Sequence, residues 1–200
     1  MNKIQSCILA FDMGGTFIKY ACLLTDGTLT DGVHKAPSNS SGDKEQIIAS
    51  WLTAIKAARD SALKQNLEIK GIGISIPGPF SFDEGKSLMK HKYQAIYGID
   101  LKREIRLGTG LPEDIPIFFL HDVAAFLKGE VLAGAAKGYG CVAGITLGTG
   151  LGFACIVDGK LLTNGRGSPH ISLYSMPYKD GILEDIVSQR GIYNMYRERA

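Results

Sequence analysis

Asp12-Met13-Gly14-Gly15-Thr16-Phe17-Ile18-Lys19, entered from the apolar run Cys7-Ile8-Leu9-Ala10-Phe11, is the stretch on which the reading of this chain turns. An apolar run of strand length, a carboxylate, two glycines, a hydroxyl and a lysine, and then Tyr20 to Leu24 predict two strands joined by a tight turn. Glycines at 14 and 15 leave no side chain in the way, so backbone N–H groups can approach an anion closely. Asp12 then sits where a carboxylate can hold a metal through water, and Thr16 and Lys19 offer a hydroxyl and a cation to the same site. The residues equally suit a plain β-hairpin whose Gly-Gly turn needs positive φ, with Asp12 and Lys19 as a surface ion pair. The turn is not of the Walker type, because no G-x-x-x-x-G-K-[ST] occurs in the chain.

Composition sets wide bounds. Two hundred residues, 45% hydrophobic and 21% charged with a net charge of +2, describe a globular protein of one large or two small domains. A charge so close to zero argues against nucleic acid as the main partner. The densest basic cluster, Lys90-His91-Lys92, reads as solvated surface. Cysteines at 7, 22, 141 and 155 lie in or beside apolar runs without C-x-x-C pairing, which predicts buried thiols, no disulfide and no zinc. No signal sequence and no apolar run of spanning length is visible, so a cytoplasmic protein away from membranes is expected.

Outward from the first hairpin, the Asp26-Gly27 turn predicts a third strand over 29–36. Asp43 with Gln46 forms a capping-box pattern, and Ile47, Ile48, Trp51, Leu52, Ile55, Ala58, Ala62 and Leu63 recur at helical spacing. Residues 69–76 predict a strand stopped by Pro77-Gly78-Pro79, its Gly71 and Gly73 implying close packing or a nearby ligand. Residues 80–98 show no periodicity and read as a long surface excursion. A short helix over 100–107, ended by Gly108 and Gly110, leads to a strand over 115–120 and a helix over 123–136. Asp122 falls between them, at the strand end where α/β sheets bind ligands; a helix N-cap explains it as well. Thr146-Leu147-Gly148-Thr149-Gly150-Leu151-Gly152 then repeats the strand, glycine turn, strand plan, and the Asp158-Gly159 turn leads into a strand over 160–162. The repetition suggests a duplicated architecture in which each lobe gives one glycine turn to a phosphate chain.

Asp12-x-Gly14-Gly15-Thr16-x-x-Lys19, the run 71–79, His121-Asp122-Val123-Ala124-Ala125 and the run 146–152, in this order and at these spacings, resemble the ROK family of sugar kinases and sugar-responsive regulators within the actin-like ATPase superfamily. The resemblance implies an α/β, ribonuclease H-like (actin-like ATPase) two-lobed fold with mixed sheets flanked by helices. The lobes would be 1–119 and 120–200, the second incomplete, because 81 residues fall short of a domain of about 100–150; the part that grips adenosine would then be missing. It further implies ATP and Mg2+ as cofactors. Asp12 would hold the magnesium through water, Gly14, Gly15, Thr16 and Lys19 would face the outer phosphates, and Thr146, Gly148, Thr149 and Gly150 would hold the phosphate chain. Asp122 matches the catalytic aspartate, and Gly78, His121, Asp122, His170 and Glu184 the sugar contacts. A homodimer is plausible by the same likeness, and no nucleic acid is expected.

The chain departs from that pattern in three places. His121-Asp122 replaces the usual Asn-Asp. Arg166-Gly167-Ser168-Pro169-His170 lacks the Glu of the usual Gly-Glu-x-Gly-His, and the cysteine-rich zinc loop is absent, so His170 is expected metal-free. The final residues, 181–200, read as one helix. An ATP-dependent sugar kinase is the leading expectation, followed by a non-catalytic sugar-binding regulator and an actin-like ATPase without sugar chemistry.

Overall fold

In the computed structural model, which describes residues 4–90 and 92–198, the first apolar run and its partner form β1 (Ser6–Met13) and β2 (Phe17–Leu24). They pair antiparallel with Met13 opposite Ile18, and the turn between them is 14–16. β1 alternates strictly: Cys7, Leu9, Phe11 and Met13 are buried, while Ser6, Ile8, Ala10 and Asp12 lie on the half-open face. The third strand is shorter than expected. Only β3 (His34–Pro37) pairs continuously with β2; Leu29 makes a single bridge to Leu23, and Gly32 at φ +88° breaks the run between them.

Helix α1 (Lys44–Lys64) begins as its sequence dictates: the Asp43 carboxylate accepts from the Gln46 N–H at 2.8 Å, and the Gln46 side chain accepts from the Asp43 N–H at 3.1 Å. Its buried stripe, Ile47, Trp51, Ala54, Ile55, Ala58 and Ala62, packs in one core with the inward residues of β1. β4 (Glu68–Ile76) and β7 (Ile117–His121) complete a five-stranded sheet in the order β3-β2-β1-β4-β7. The sheet is mixed: β1 runs parallel to β4 and β4 parallel to β7, whereas β1, β2 and β3 form an antiparallel meander.

Residues 80–98 are not a surface excursion. Phe80, Phe82, Met89, Tyr93 and Ile96 are buried, around a two-stranded hairpin of β5 (Phe80–Ser81) and β6 (Lys86–Ser87). Aromatic residues packed from irregular backbone leave no period to read. Helix α2 (Leu101–Thr109) is capped by Asp100 and ends at Gly110 (φ +63°), with Gly108 still inside it, where the Leu52 side chain leaves no room for a Cβ.

Helix α3 (Asp122–Ala133) starts on Asp122 itself, which is its first residue rather than its cap, and stops three residues short of the expected end. Beyond it, β8 (Val142–Leu147), β9 (Leu151–Val157) and β10 (Lys160–Leu161) form a three-stranded antiparallel sheet. Leu127 of α3 lies over Gly144, and Val123 over Gly152. The C-terminal stretch is not one helix: a hairpin of β11 (Pro177–Tyr178) and β12 (Gly181–Ile182) precedes α4 (Leu183–Ile186) and α5 (Gln189–Arg197). The break is Ser188, fully buried, whose hydroxyl caps α5 by accepting from Gly191 N–H at 3.1 Å. Arg199 and Ala200, expected in that helix, lie outside the described residues, as does His91.

The chain divides into two compact units. One extends through Asp122 and takes in Arg166–Ser168; the other comprises Val123–Gly165 and the chain from Pro169 onward. All four cysteines are free; Cys7 and Cys22 are buried, but Cys141 is exposed and Cys155 half-buried. Among the described residues, no helix is long and apolar enough to cross a membrane.

Candidate functional site

Register places the first group of residues. Asp12 near the end of β1 pairs with Ser75 near the end of β4, Ile76 pairs with His121 at the end of β7, and Gly78 follows β4 directly. Three parallel strands therefore deliver Asp12, Gly78 and His121-Asp122 to one edge of one sheet, the C-terminal edge, where open α/β sheets bind their ligands.

At that edge Asp12 is half-exposed. Its Oδ1 accepts from the Ser75 hydroxyl at 3.1 Å, and its Oδ2 lies 3.6 Å from Lys19 Nζ, across the hairpin. The ion pair of the plain-hairpin reading is thus present, and the carboxylate keeps lone pairs for a cation. Mg2+ retains waters and takes one or two carboxylates plus phosphate oxygens, and a single half-exposed carboxylate such as Asp12 is a donor of that kind.

Neither glycine of the turn adopts the left-handed φ that a tight Gly-Gly turn was expected to need. Their role is close approach. A Cβ on Gly14 would meet the backbone oxygen of Phe17 at 2.8 Å, and that oxygen already accepts from Gly14 N–H at 3.1 Å. The carbonyls are held from behind. Tyr93 donates its hydroxyl to Gly14 O at 2.6 Å, Ser38 donates to Gly15 O at 2.7 Å, and Ser40 also donates to Gly15 O. Ser38 N–H donates to Thr16 O at 3.1 Å. With its carbonyls tied inward, the turn leaves Gly15 and Thr16 exposed. Beside them a polar hollow of about 450 Å³ is lined by Gly15, Thr16, Ser38, Ser40, Ser41 and Gln46, among others. Burial pushes the Tyr93 phenol up to about 12, with the Asp12 charge adding in the same direction, so Tyr93 stays a donor at neutral pH.

His121 is the second feature of the edge. Its Nδ1 lies 2.8 Å from Asp122 Oδ1, obliquely rather than in hydrogen-bond alignment. A proton on Nδ1 would suit the carboxylate beside it and would leave Nε2, on the Gly78 side, as an acceptor. The ring packs against Phe82 (centroids 5.9 Å apart), and a Cβ on Gly78 would stand 3.3 Å from its Nε2, so Gly78 makes room for the imidazole. Asp122 itself is half-exposed.

The second unit carries the other glycine turn, Gly148-Thr149-Gly150, closed by Leu147 opposite Leu151. Gly148 and Thr149 are exposed, and Gly148 O accepts from Gln189 N–H at 2.9 Å. Thr146 turns over Gly152 rather than toward the tip. Glu184 lies against this turn, its Oε2 accepting from Leu151 N–H at 2.8 Å, and a Cβ on Gly150 would come within 2.5 Å of the same oxygen. His170 is exposed and donates its backbone N–H to Leu162 O at 3.1 Å.

Sequence reasoning missed Ser38, Ser40, Ser75 and Tyr93. Ser75 was legible in principle, as the polar residue of an alternating strand just before Pro77-Gly78-Pro79. Ser38 and Ser40 lie between the expected third strand and the Asp43 cap, where no periodic pattern singles them out, and Tyr93 lies in the aperiodic stretch.

A family model described as ROK family matches residues 8–199. The chain is 27% identical over 167 residues to a glucokinase of Thermotoga maritima, an alignment covering 84% of this chain and 49% of that protein. It superposes on the crystal structure of a ROK family transcriptional regulator, homologous to the E. coli MLC protein, with a TM-score of 0.83 at 22% identity, covering all of this chain and 51% of that one. The corresponding values for a ROK family glucokinase from Streptomyces griseus, crystallised with glucose and AMPPNP, are 0.74, 23%, 98% and 61%. The chain spans about half the length of the curated relatives it matches.

Proposed function

The chain belongs to the ROK family, and we propose that it carries the outer-phosphate and sugar-hydroxyl chemistry of an ATP-dependent sugar kinase. The supporting observation is the single sheet edge that holds Asp12, Gly78 and His121-Asp122.

In this reading the exposed Gly15-Thr16 backbone and the Thr16 hydroxyl bind the outer phosphates, and Asp12 holds Mg2+ through water. Mg2+ held there would supply charge neutralisation to the phosphates. Asp122 accepts the proton of a sugar hydroxyl as that oxygen bonds to the γ-phosphorus and the bond to the β-phosphate oxygen breaks, releasing ADP. Phosphoryl transfer asks mainly for position and charge neutralisation, which a carboxylate beside the nucleophile completes. His121 accepts a second sugar hydroxyl on Nε2. The turn at 148–150 is read as a further phosphate-holding element.

The test is sugar-dependent ADP release across hexoses, amino sugars and β-glucosides. Asp122→Asn is expected to lower it by about 10²–10⁴-fold. No release with any sugar would defeat the kinase reading. His121 in place of Asn, and the missing Glu ahead of His170, favour a sugar-binding regulator as the second reading. Sugar binding without turnover, unchanged by Asp122→Ala, would select it.

A further inference from the structure

Of the basic cluster expected as solvated surface, Lys90 is exposed and Lys92 half-buried. Lys90 Nζ sits over the Tyr97 ring, 5.7 Å from its centroid. Lys92 takes another course: its Cδ and Cε lie alongside Gly15, each 4.0 Å from where a Cβ on that glycine would stand. The next residue is anchored twice, Tyr93 N–H donating to Ser40 O at 3.0 Å and the Tyr93 hydroxyl to Gly14 O at 2.6 Å. The lysine is thus fixed at its base, half-buried, with its stem across the outer face of the turn.

Lys19, the cation expected from sequence, is 3.6 Å from the Asp12 carboxylate. Among the described residues no carboxylate lies within ion-pair distance of Lys92. A lysine whose stem lies half-buried against Gly15, with its charge not taken up by a carboxylate and with backbone beside it that can receive an anion, can give that charge to an anion at the turn. Ser40 and Ser41 border the same hollow and offer hydroxyls, while Gly15 contributes no side chain to obstruct entry.

We propose that Lys92 is a binding residue for the terminal phosphate of the ligand held at the 14–16 turn, supplying a point charge that Lys19 shares with Asp12. This rests on reading that turn as a phosphate site. Inorganic tripolyphosphate is the probe, because it carries the phosphate chain without adenosine or sugar and so separates this inference from kinase activity.

Isothermal titration with tripolyphosphate would be run on the unaltered chain, Lys92→Met, Lys92→Arg and, as a control on α1, Lys64→Met. Methionine keeps the stem and removes the charge, and the expected loss of affinity is about tenfold, allowing for partial solvent screening. Lys92→Arg should restore most of the affinity, and Lys64→Met should bind like the unaltered chain. Equal affinity for Lys92→Met and the unaltered chain would overturn the proposal. So would an equal loss in Lys64→Met, or no saturable binding by the unaltered chain. Binding through Lys92 in a chain that phosphorylates no sugar would uphold this inference and sink the kinase reading alone.

Discussion

The Ser75 hydroxyl donates to Asp12 Oδ1 at 3.1 Å from the adjacent parallel strand, so the carboxylate is aimed by a residue 63 positions away in sequence. With Oδ1 taken and Oδ2 facing Lys19, Asp12 has a fixed direction. Ser75→Ala is expected to raise the magnesium concentration needed for half-maximal nucleotide binding about threefold, the weight of one modest hydrogen bond. Asp12→Asn should abolish the magnesium dependence. Titrating Mg2+ at fixed nucleotide measures both.

Gly14→Ala places a methyl 2.8 Å from the Phe17 carbonyl oxygen, part of the backbone and unable to rotate away. The turn must open. Urea unfolding should show a loss of about 1–3 kcal/mol, typical of forced overpacking, and tripolyphosphate binding should fall with it. An unchanged midpoint would mean that the turn adapts freely.

Tyr93 gives a pH signature. Burial raises its phenol from 10 to about 12 in the folded chain, which favours the neutral form on folding. The stabilisation is therefore complete below pH 10 and lost as pH rises through about 12. Tyrosinate absorbance should show one of the eight tyrosines titrating late, a step missing in Tyr93→Phe, whose stability should depend less on pH in that window.

Glu184 poses an electrostatic question, because a carboxylate bonded to Leu151 N–H confronts any phosphate at Gly150. Glu184→Gln keeps an acceptor for Leu151 and removes the charge. Nucleotide affinity is expected to rise about threefold, the range of a partly screened charge pair. If Glu184 instead serves the sugar, the same variant will weaken sugar binding and leave nucleotide binding unchanged.

Asp43→Ala removes the carboxylate half of the α1 capping box. A loss of about 1 kcal/mol in urea unfolding is expected. Asp43 adjoins the loop that carries Ser38 and Ser40, so tripolyphosphate affinity reports whether that loop depends on the cap.

Much of this was legible because local chemistry announces itself. The strand carried by the apolar run 7–11, the Asp43-Gln46 box and the two glycine hairpins were readable before any coordinates; which face of that strand turns inward was not. The neighbours of Asp12 were not: parallel strands find their register through packing, and nothing local in residues 69–76 shows that Ser75 meets Asp12. The stretch 80–98 was misread for a related reason. Its buried aromatics serve a fold with no repeat, so neither period 2 nor 3.6 reveals them. Of the two reasons the sequence offered for glycine at 14 and 15, absence of a side chain is the one the Phe17 carbonyl requires, and positive φ is not used.

Trp51, the only tryptophan in the chain and almost wholly buried, meets the Tyr93 ring edge-on with centroids 5.7 Å apart. That same tyrosine grips the Gly14 carbonyl. The molecule thus carries a candidate optical gauge: a ligand on the turn that shifts this phenol is expected to change the emission of the sole indole, without any attached dye.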